Sequence, residues 1–273
     1  MKTIFNRFSA AFAALAVMAA VVFDLSAKTA SAASCDIDHS NATQLTEEPE
    51  QLTGSSYYLG ESIVLTKEIA IEGAVTLCLN GQTITAASGS RVFTIKNGGS
   101  LTICDCQNAG EITGGNVSSG NDENSDSYGG AIIIDNGGSL TLNGGKIAVC
   151  SAKRGGGVCV NGGTFTINAG TISQNTAEHQ GGGVYVSGGT FTMNGGTILG
   201  NTVTGSGATD GGGGVYTAGT FTLNGGSKIS DNKAESSFGG GVLVSGTNAE
   251  FTLQSGTSAG NRANQGGGVH VSS

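Results

Sequence analysis

Five times in its C-terminal half the chain restates one phrase: Gly-Gly-Gly-Val-x-Val, a break, Thr-Phe-Thr-x-Asn-Gly-Gly, Thr-Ile, and a short tail ending in Asn. The clearest copy runs from Gly181 to Asn201 (GGGVYVSGGTFTMNGGTILGN). Marking each unit by its first inward apolar residue gives Ile132, Val158, Val184, Val215, Val242 and Val269, at steps of 26, 26, 31, 27 and 27 residues. A unit this small cannot bury its own apolar face. Repetition at such a period therefore signals a stack in which each copy covers the next.

Each copy contains three short stretches of alternating apolar and polar residues; in the 181–201 copy these are Val184-Tyr185-Val186, Thr190 to Met193, and Thr197-Ile198. Alternation over two to five residues, bounded by Gly and Asn and rich in β-branched side chains, predicts strand-turn-strand and not helix. Three strands per ~26-residue coil, in constant register, describe an all-β parallel solenoid. Aligning the copies produces columns. Leu101, Leu140, Phe165, Phe191, Phe221 and Phe251 share one inward position, and Ile103, Leu142, Ile167, Met193, Leu223 and Leu253 the next. Ile147, Ile172, Ile198 and Ile229 line the third strand. Two Asn series, Asn143-Asn168-Asn194-Asn224 (closed by Gln254) and Asn175-Asn201-Asn232-Asn261, fall at turns, where stacked amides can bond from coil to coil.

Glycine accounts for 49 of 273 residues and proline for one, a share below that of disordered Gly/Pro-rich chains. Residues 1–32 read as a signal peptide. Lys2 and Arg7 form a basic start, Phe8 to Phe23 is an apolar run too short for a good membrane span, and Ala30-Ser31-Ala32 is a small-residue cleavage site. This predicts a secreted, extracellular or cell-surface protein cleaved after Ala32, with no membrane span in the mature chain. Cleavage would remove Lys2, Arg7, Asp24 and Lys28, taking the net charge from −8 to near −10. Such acidity argues against nucleic acid and anionic membranes as partners.

Residues 33–56 form a polar N-terminal segment or cap. Residues 57–273 form the solenoid, with irregular coils at 57–128 and regular repeats at 129–273. Gly114 to Tyr128 and Val203 to Asp210 are polar insertions expected to leave the coil as loops. Gly266 to Val271 opens a further coil without a visible cap, which suggests either a longer product or end-to-end self-association through the open coil.

Six cysteines follow the predicted leader: Cys35, Cys78, Cys104, Cys106, Cys150 and Cys159. An even count in an exported chain makes all six disulfide candidates, with a local Cys150–Cys159 bridge across one turn among the options. Cys104-Asp105-Cys106 has neither the spacing nor the His partners of a zinc motif, so no metal is expected. Polysaccharide-cleaving chemistry would need carboxylates, or a base with a bound cation, converging on one outward face. The outward row of the first strand reads Ile133, Cys159, Tyr185, Tyr216, Leu243 and His270, and that of the second is mostly Thr, with Glu250 its one carboxylate. Lys153, Arg154, Asp210, Asp231 and Lys233 fall in turns at scattered heights, and His39, His179 and His270 each stand alone in the sequence. Neither catalytic residues nor a cofactor are expected.

The units GGGVYVSGGTFTMNGGTILGN and GGAIIIDNGGSLTLNGG resemble the repeats of right-handed parallel β-helix proteins of the pectate-lyase-like superfamily, in particular the adhesin-like surface repeats of anaerobic bacteria. Gly129 to Ile132, with Phe165 to Asn168, Phe191 to Asn194 and Phe221 to Asn224, is also similar to the short motifs of polymorphic outer-membrane protein repeats. The resemblance covers about residues 60–273. It implies a right-handed single-stranded parallel β-helix and an adhesive or polysaccharide-facing role. The expected function is thus a non-catalytic scaffold binding carbohydrate or a cell-surface protein, with Tyr185, Tyr216, Thr166, Thr192 and Thr222 as candidate ligand-binding residues. The alternatives are a polysaccharide lyase or glycoside hydrolase of that superfamily, and ice binding through the Thr columns.

Overall fold

The structure, a computed structural model, describes residue 35, residues 37–118 and residues 127–272. All of them belong to one compact unit, Ala33–Ser273. The predicted signal peptide and the centre of the first insertion, 119–126, lie outside the described residues. Among the described residues there is no α-helix, and parallel strands stack as a β-solenoid of about 7 turns.

The strands form three sheets of 15, 8 and 5 strands, here A, B and C. Sheet A carries the first and second strands of every coil. The two merge because Val158–Ile167 and Val184–Met193 run unbroken through their Gly pairs. Sheet B carries the third strand, for example Lys146–Ala148, Thr171–Ser173, Thr197–Leu199 and Lys228–Ser230. Sheet C was not legible as strand: it is built from the tails that follow each Asn, namely Ser151–Arg154, Thr176–Gln180, Thr202–Val203, Lys233–Phe238 and Arg262–Gln265. Each of these buries little apolar surface, and Ala177, Val203 and Ala234 form a small second core with Ala263. The polar N-terminal segment contributes a rung, since Thr43–Leu45 pairs in parallel with Tyr57–Leu59.

The apolar columns hold in register. Phe165 pairs with Phe191, Phe191 with Phe221 and Phe221 with Phe251. Their rings stack at centroid distances of 4.9, 4.7 and 5.1 Å. The third-strand column reaches further back than the regular repeats, through Ile112 and Ile84 to Ile63. Apart from the partly buried Phe251 on the last rung, these side chains are almost fully buried, and stacking like shapes rung on rung fills the interior.

Both Asn ladders form, and they differ. In the inner ladder Asn175 Nδ2 donates to Asn201 Oδ1, Asn201 Nδ2 to Asn232 Oδ1, and Asn232 Nδ2 to Asn261 Oδ1, at 3.0, 2.9 and 2.9 Å. Each of these amides also donates to a core carbonyl, Ile147, Ile172 or Ile198. Each Oδ1 further accepts the backbone N–H of the Asn one rung back. In the outer ladder Asn168 donates to Asn143, Asn194 to Asn168, and Asn224 to Asn194; Asn224 Oδ1 accepts nothing, so Gln254 does not close this row as expected. Inner donors point toward the C-terminal end and outer donors toward the N-terminal end.

The first Gly of each Gly-Gly-Gly is a conformational requirement. Gly155, Gly181, Gly212 and Gly239 have φ of 67°, 65°, 70° and 63°. A Cβ there would lie 2.3–2.5 Å from the carbonyl oxygen three residues on, so any side chain would be strained and would also collide.

Two expectations are corrected. The outward row of the first strand is not an open face: Ile133, Cys159 and Leu243 are buried. The Gly corner leading in from sheet C folds over this row, so closely that a Cβ on Gly129 would lie 3.2 Å from Cys159 Cβ and one on Gly155 3.1 Å from Tyr185 Cβ. The proposed Cys150–Cys159 bridge is absent. Both are free thiols, Cys150 turned into the main core and Cys159 lying on the opposite side of its sheet, outside that core. Cys35 and Cys104 are joined, whereas Cys78 and Cys106 are thiols.

Candidate functional site

The candidate Thr residues belong to a longer array than the repeats suggested. Thr76, Thr102, Thr141, Thr166, Thr192, Thr222 and Thr252 are successive register partners on the outward side of sheet A. Ser100, Ser139, Thr164, Thr190 and Thr220 run beside them and end at Glu250. Rungs lie ~4.8 Å apart and the two columns ~6.7 Å apart, so the first column extends for roughly 29 Å. The outer Asn ladder follows one margin of this strip. Up to Glu250 the two columns are uncharged and rich in hydroxyl and methyl groups, suited to hydrogen-bonding an extended, uncharged, repetitive ligand.

The N-terminal segment lies along the first rungs of this strip. Ile37, Asp38 and Asn41 face Ser56, Thr76, Thr102, Cys104 and Asn143 across a cleft of about 340 Å³. Hydrogen bonds from Ser40 hold the Asp38 carboxyl below its usual range, and Asn41 Nδ2 donates to it at 2.6 Å.

Tyr185 and Tyr216 stack with centroids 5.2 Å apart, and Tyr128 meets Tyr185 edge-on at 5.8 Å. The Arg154 guanidinium lies 5.1 Å over the Tyr128 ring and also donates to the Tyr128 hydroxyl and to Gln180 Oε1. Tyr185 is largely enclosed, and burial pushes its hydroxyl above the usual tyrosine range. It is therefore a support for the Arg154 cluster more than an open stacking platform. Thr and Tyr candidates do not form one site: the former face outward from the second strand, the latter pack beside the corner into the first.

Sheet C brings together residues that sequence separation concealed. Both insertions start and end on it. Asn116 bridges to Ser151, Tyr128 to Arg154, and Gly211 to Gln180 and Phe238. Between the insertions, Ser118, Thr204 and Gly205 border a cleft of about 410 Å³ floored by Ser151, Thr176 and Glu178. Lys153 Nζ contacts Glu178 at 2.6 Å, and His179 Nδ1 contacts the buried Asp210 at 3.2 Å. Gly207 N–H donates to Asp210 Oδ2. Lys153, Arg154 and Asp210 are thus not scattered and His179 is not alone: the longer 31-residue step brings Asp210 beside His179 on the next rung. Asp210 can orient the imidazole, an arrangement that supports proton transfer or polar recognition. The other two histidines also have neighbours, with His39 stacked on Tyr58 and His270 beside Phe238.

The chain matches no protein-family model, no curated protein and no solved structure. Its function has to be read from these surfaces. Among the described residues no helix is long and apolar enough to cross a membrane.

Burial pushes the Cys150 and Cys159 thiols up to about 12 each, which makes them inert packing groups. The cysteines that do converge are at the other end of the molecule, around the Cys35–Cys104 disulfide.

Proposed function

We propose that this chain is an exported, non-catalytic β-helix that binds carbohydrate at the cell surface or outside the cell, using the Thr strip of sheet A. One observation carries this reading: seven threonines stay in unbroken register from Thr76 to Thr252, with a second hydroxyl column beside most of them and Glu250 as the one charge in either. Packing does not require that uniformity, since an outward strand position accepts many side chains. A periodic polyhydroxyl ligand would exploit it. The residue pattern that resembles adhesin-like repeats of the pectate-lyase-like superfamily supports the same role.

The test is retention of the mature protein on a glycan array, compared with the triple variant Thr166→Lys, Thr192→Lys, Thr222→Lys. Loss of binding in the triple variant is expected, with Tyr185→Ala plus Tyr216→Ala affecting it less. Binding that survives both sets would remove the Thr strip as the site. Thermal hysteresis without glycan binding would favour the ice-binding alternative for the same columns.

A second reading, polysaccharide cleavage, is favoured by the His179–Asp210 pair, in which His179 follows Glu178 on the strand that floors the cleft. It calls for release of reducing ends or unsaturated products that His179→Asn abolishes. A negative result across pectin, alginate and host glycans would end it.

A further inference from the structure

Four sulfurs and one imidazole meet where the N-terminal segment joins the first coils. Cys78 and Cys104 are register partners at the ends of strands Ala74–Cys78 and Ser100–Cys104, so their side chains sit on adjacent rungs. Cys104 is bonded to Cys35. Cys106, two residues beyond Cys104, returns to Cys78, with the two Sγ atoms 2.7 Å apart. The Sγ atoms of Cys35, Cys78 and Cys106 all lie within 4.8 Å of one another. His39 Nε2 is 3.5 Å from Cys106 Sγ.

The turn that presents Cys106 is firmly held. Asp105, between the two cysteines, is buried, and its carboxylate accepts the N–H groups of Gly81, Gly110 and Gln107 at 2.7, 2.6 and 3.3 Å. The Cys78–Cys106 separation is only roughly 0.7 Å longer than a disulfide bond. Two thiols left beside a disulfide sulfur would also attack it and exchange partners. Closing them against each other removes both nucleophiles.

We propose that Cys78 and Cys106 are the site of a second disulfide, which closes the coil to which Cys35–Cys104 fastens the N-terminal segment. The oxidant is a disulfide-bearing compound, either a low-molecular-weight disulfide or an oxidised thiol oxidoreductase. Cys106 is exposed and Cys78 is buried, so Cys106 reacts first. His39 Nε2, in its unprotonated tautomer, takes the Cys106 proton. The thiolate then attacks the oxidant to give a mixed disulfide and one released thiol. Cys78 gives up its proton as its sulfur displaces the second oxidant thiol from Cys106. Two electrons and two protons leave the protein, and the oxidant becomes two thiols. The product spans 28 residues, about one coil, and locks that coil as a ring.

The experiment is alkylation of the mature protein in denaturant without reductant, after folding with a low-molecular-weight disulfide, followed by peptide mapping. The expected result is cross-linked Cys78–Cys106 and Cys35–Cys104 peptides, with only Cys150 and Cys159 alkylated. Alkylation of Cys78 and Cys106, or Cys78 joined to Cys35 or Cys104, would overturn the proposal. So would protection that disappears on adding a chelator, because that outcome means a bound soft cation. Independently, Cys106→Ser and the Cys78→Ser/Cys106→Ser double variant should each lower the melting midpoint of the N-terminal coils by the same amount, roughly 10 °C. Both should speed hydrogen exchange over residues 78–106, the coil that the bond closes. An unchanged midpoint and unchanged exchange in Cys106→Ser would equally overturn it.

Discussion

Asn201 Nδ2 donates both to Asn232 Oδ1 at 2.9 Å and to the Ile172 carbonyl at 3.0 Å, while Asn201 Oδ1 accepts from the backbone and side chain of Asn175. A single buried amide thus satisfies polar groups on three coils. Asn201→Ala strands several of them away from water, and each stranded group costs about 1–3 kcal/mol. The expected loss is about 3–5 kcal/mol in chemical denaturation. Asn194→Ala, in the exposed outer ladder, should cost under about 1 kcal/mol. Equal losses at the two positions would contradict the distinction.

Phe191 lies between Phe165 and Phe221 with no exposed surface. Phe191→Ala should destabilise by about 3–5 kcal/mol, since the gap cannot collapse between two stacked neighbours. Phe191→Leu should cost less than half as much. Urea midpoints of the two variants measure the difference.

Gly181 and Gly200 have nearly the same φ, 65° and 64°, but a Cβ on Gly181 would meet the Val184 carbonyl at 2.3 Å whereas one on Gly200 meets nothing within 4 Å. Gly200→Ala should therefore cost about 1 kcal/mol of backbone strain. Gly181→Ala adds the collision and should prevent that coil from closing, seen as lost hydrogen-exchange protection around residues 181–186.

Burial raises the thiols of Cys150 and Cys159 from an ordinary 9.0 to about 12. The folded chain holds these protons more tightly than the unfolded chain, so their contribution is complete below about pH 9 and is lost as the pH rises through about 12. Stability should fall across that window, and Cys150→Ala plus Cys159→Ala should flatten the fall. Denaturation midpoints measured from pH 8 to pH 11 would show whether the slope changes.

What could be read from the chain is what repeats. Phe165, Phe191 and Phe221, or Asn175, Asn201 and Asn232, announce their columns because each recurs in an unchanged setting. Sheet C escaped because its strands share only one small residue per rung, Ala177 or Ala234, among unrelated polar ones. The His179–Asp210 contact depends on an insertion, and no periodic signal carries the position of an inserted residue. The convergence of Cys78 with Cys104 was partly visible, since VTLC at 75–78 and LTIC at 101–104 align as equivalent strand ends. The return of Cys106 and the approach of Cys35 needed the folded turn around Asp105. The burial of Tyr185 needed the Gly corner that leans over it.

The two Asn rows run in opposite senses along the solenoid. Each row on its own would add up its side-chain amide dipoles coil after coil, building polarity between the two ends in proportion to length. Opposed rows offset one another at the two steps where both are present, Asn168–Asn194 beside Asn175–Asn201 and Asn194–Asn224 beside Asn201–Asn232. A molecule made this way can gain or lose coils in evolution without its ends becoming charged poles.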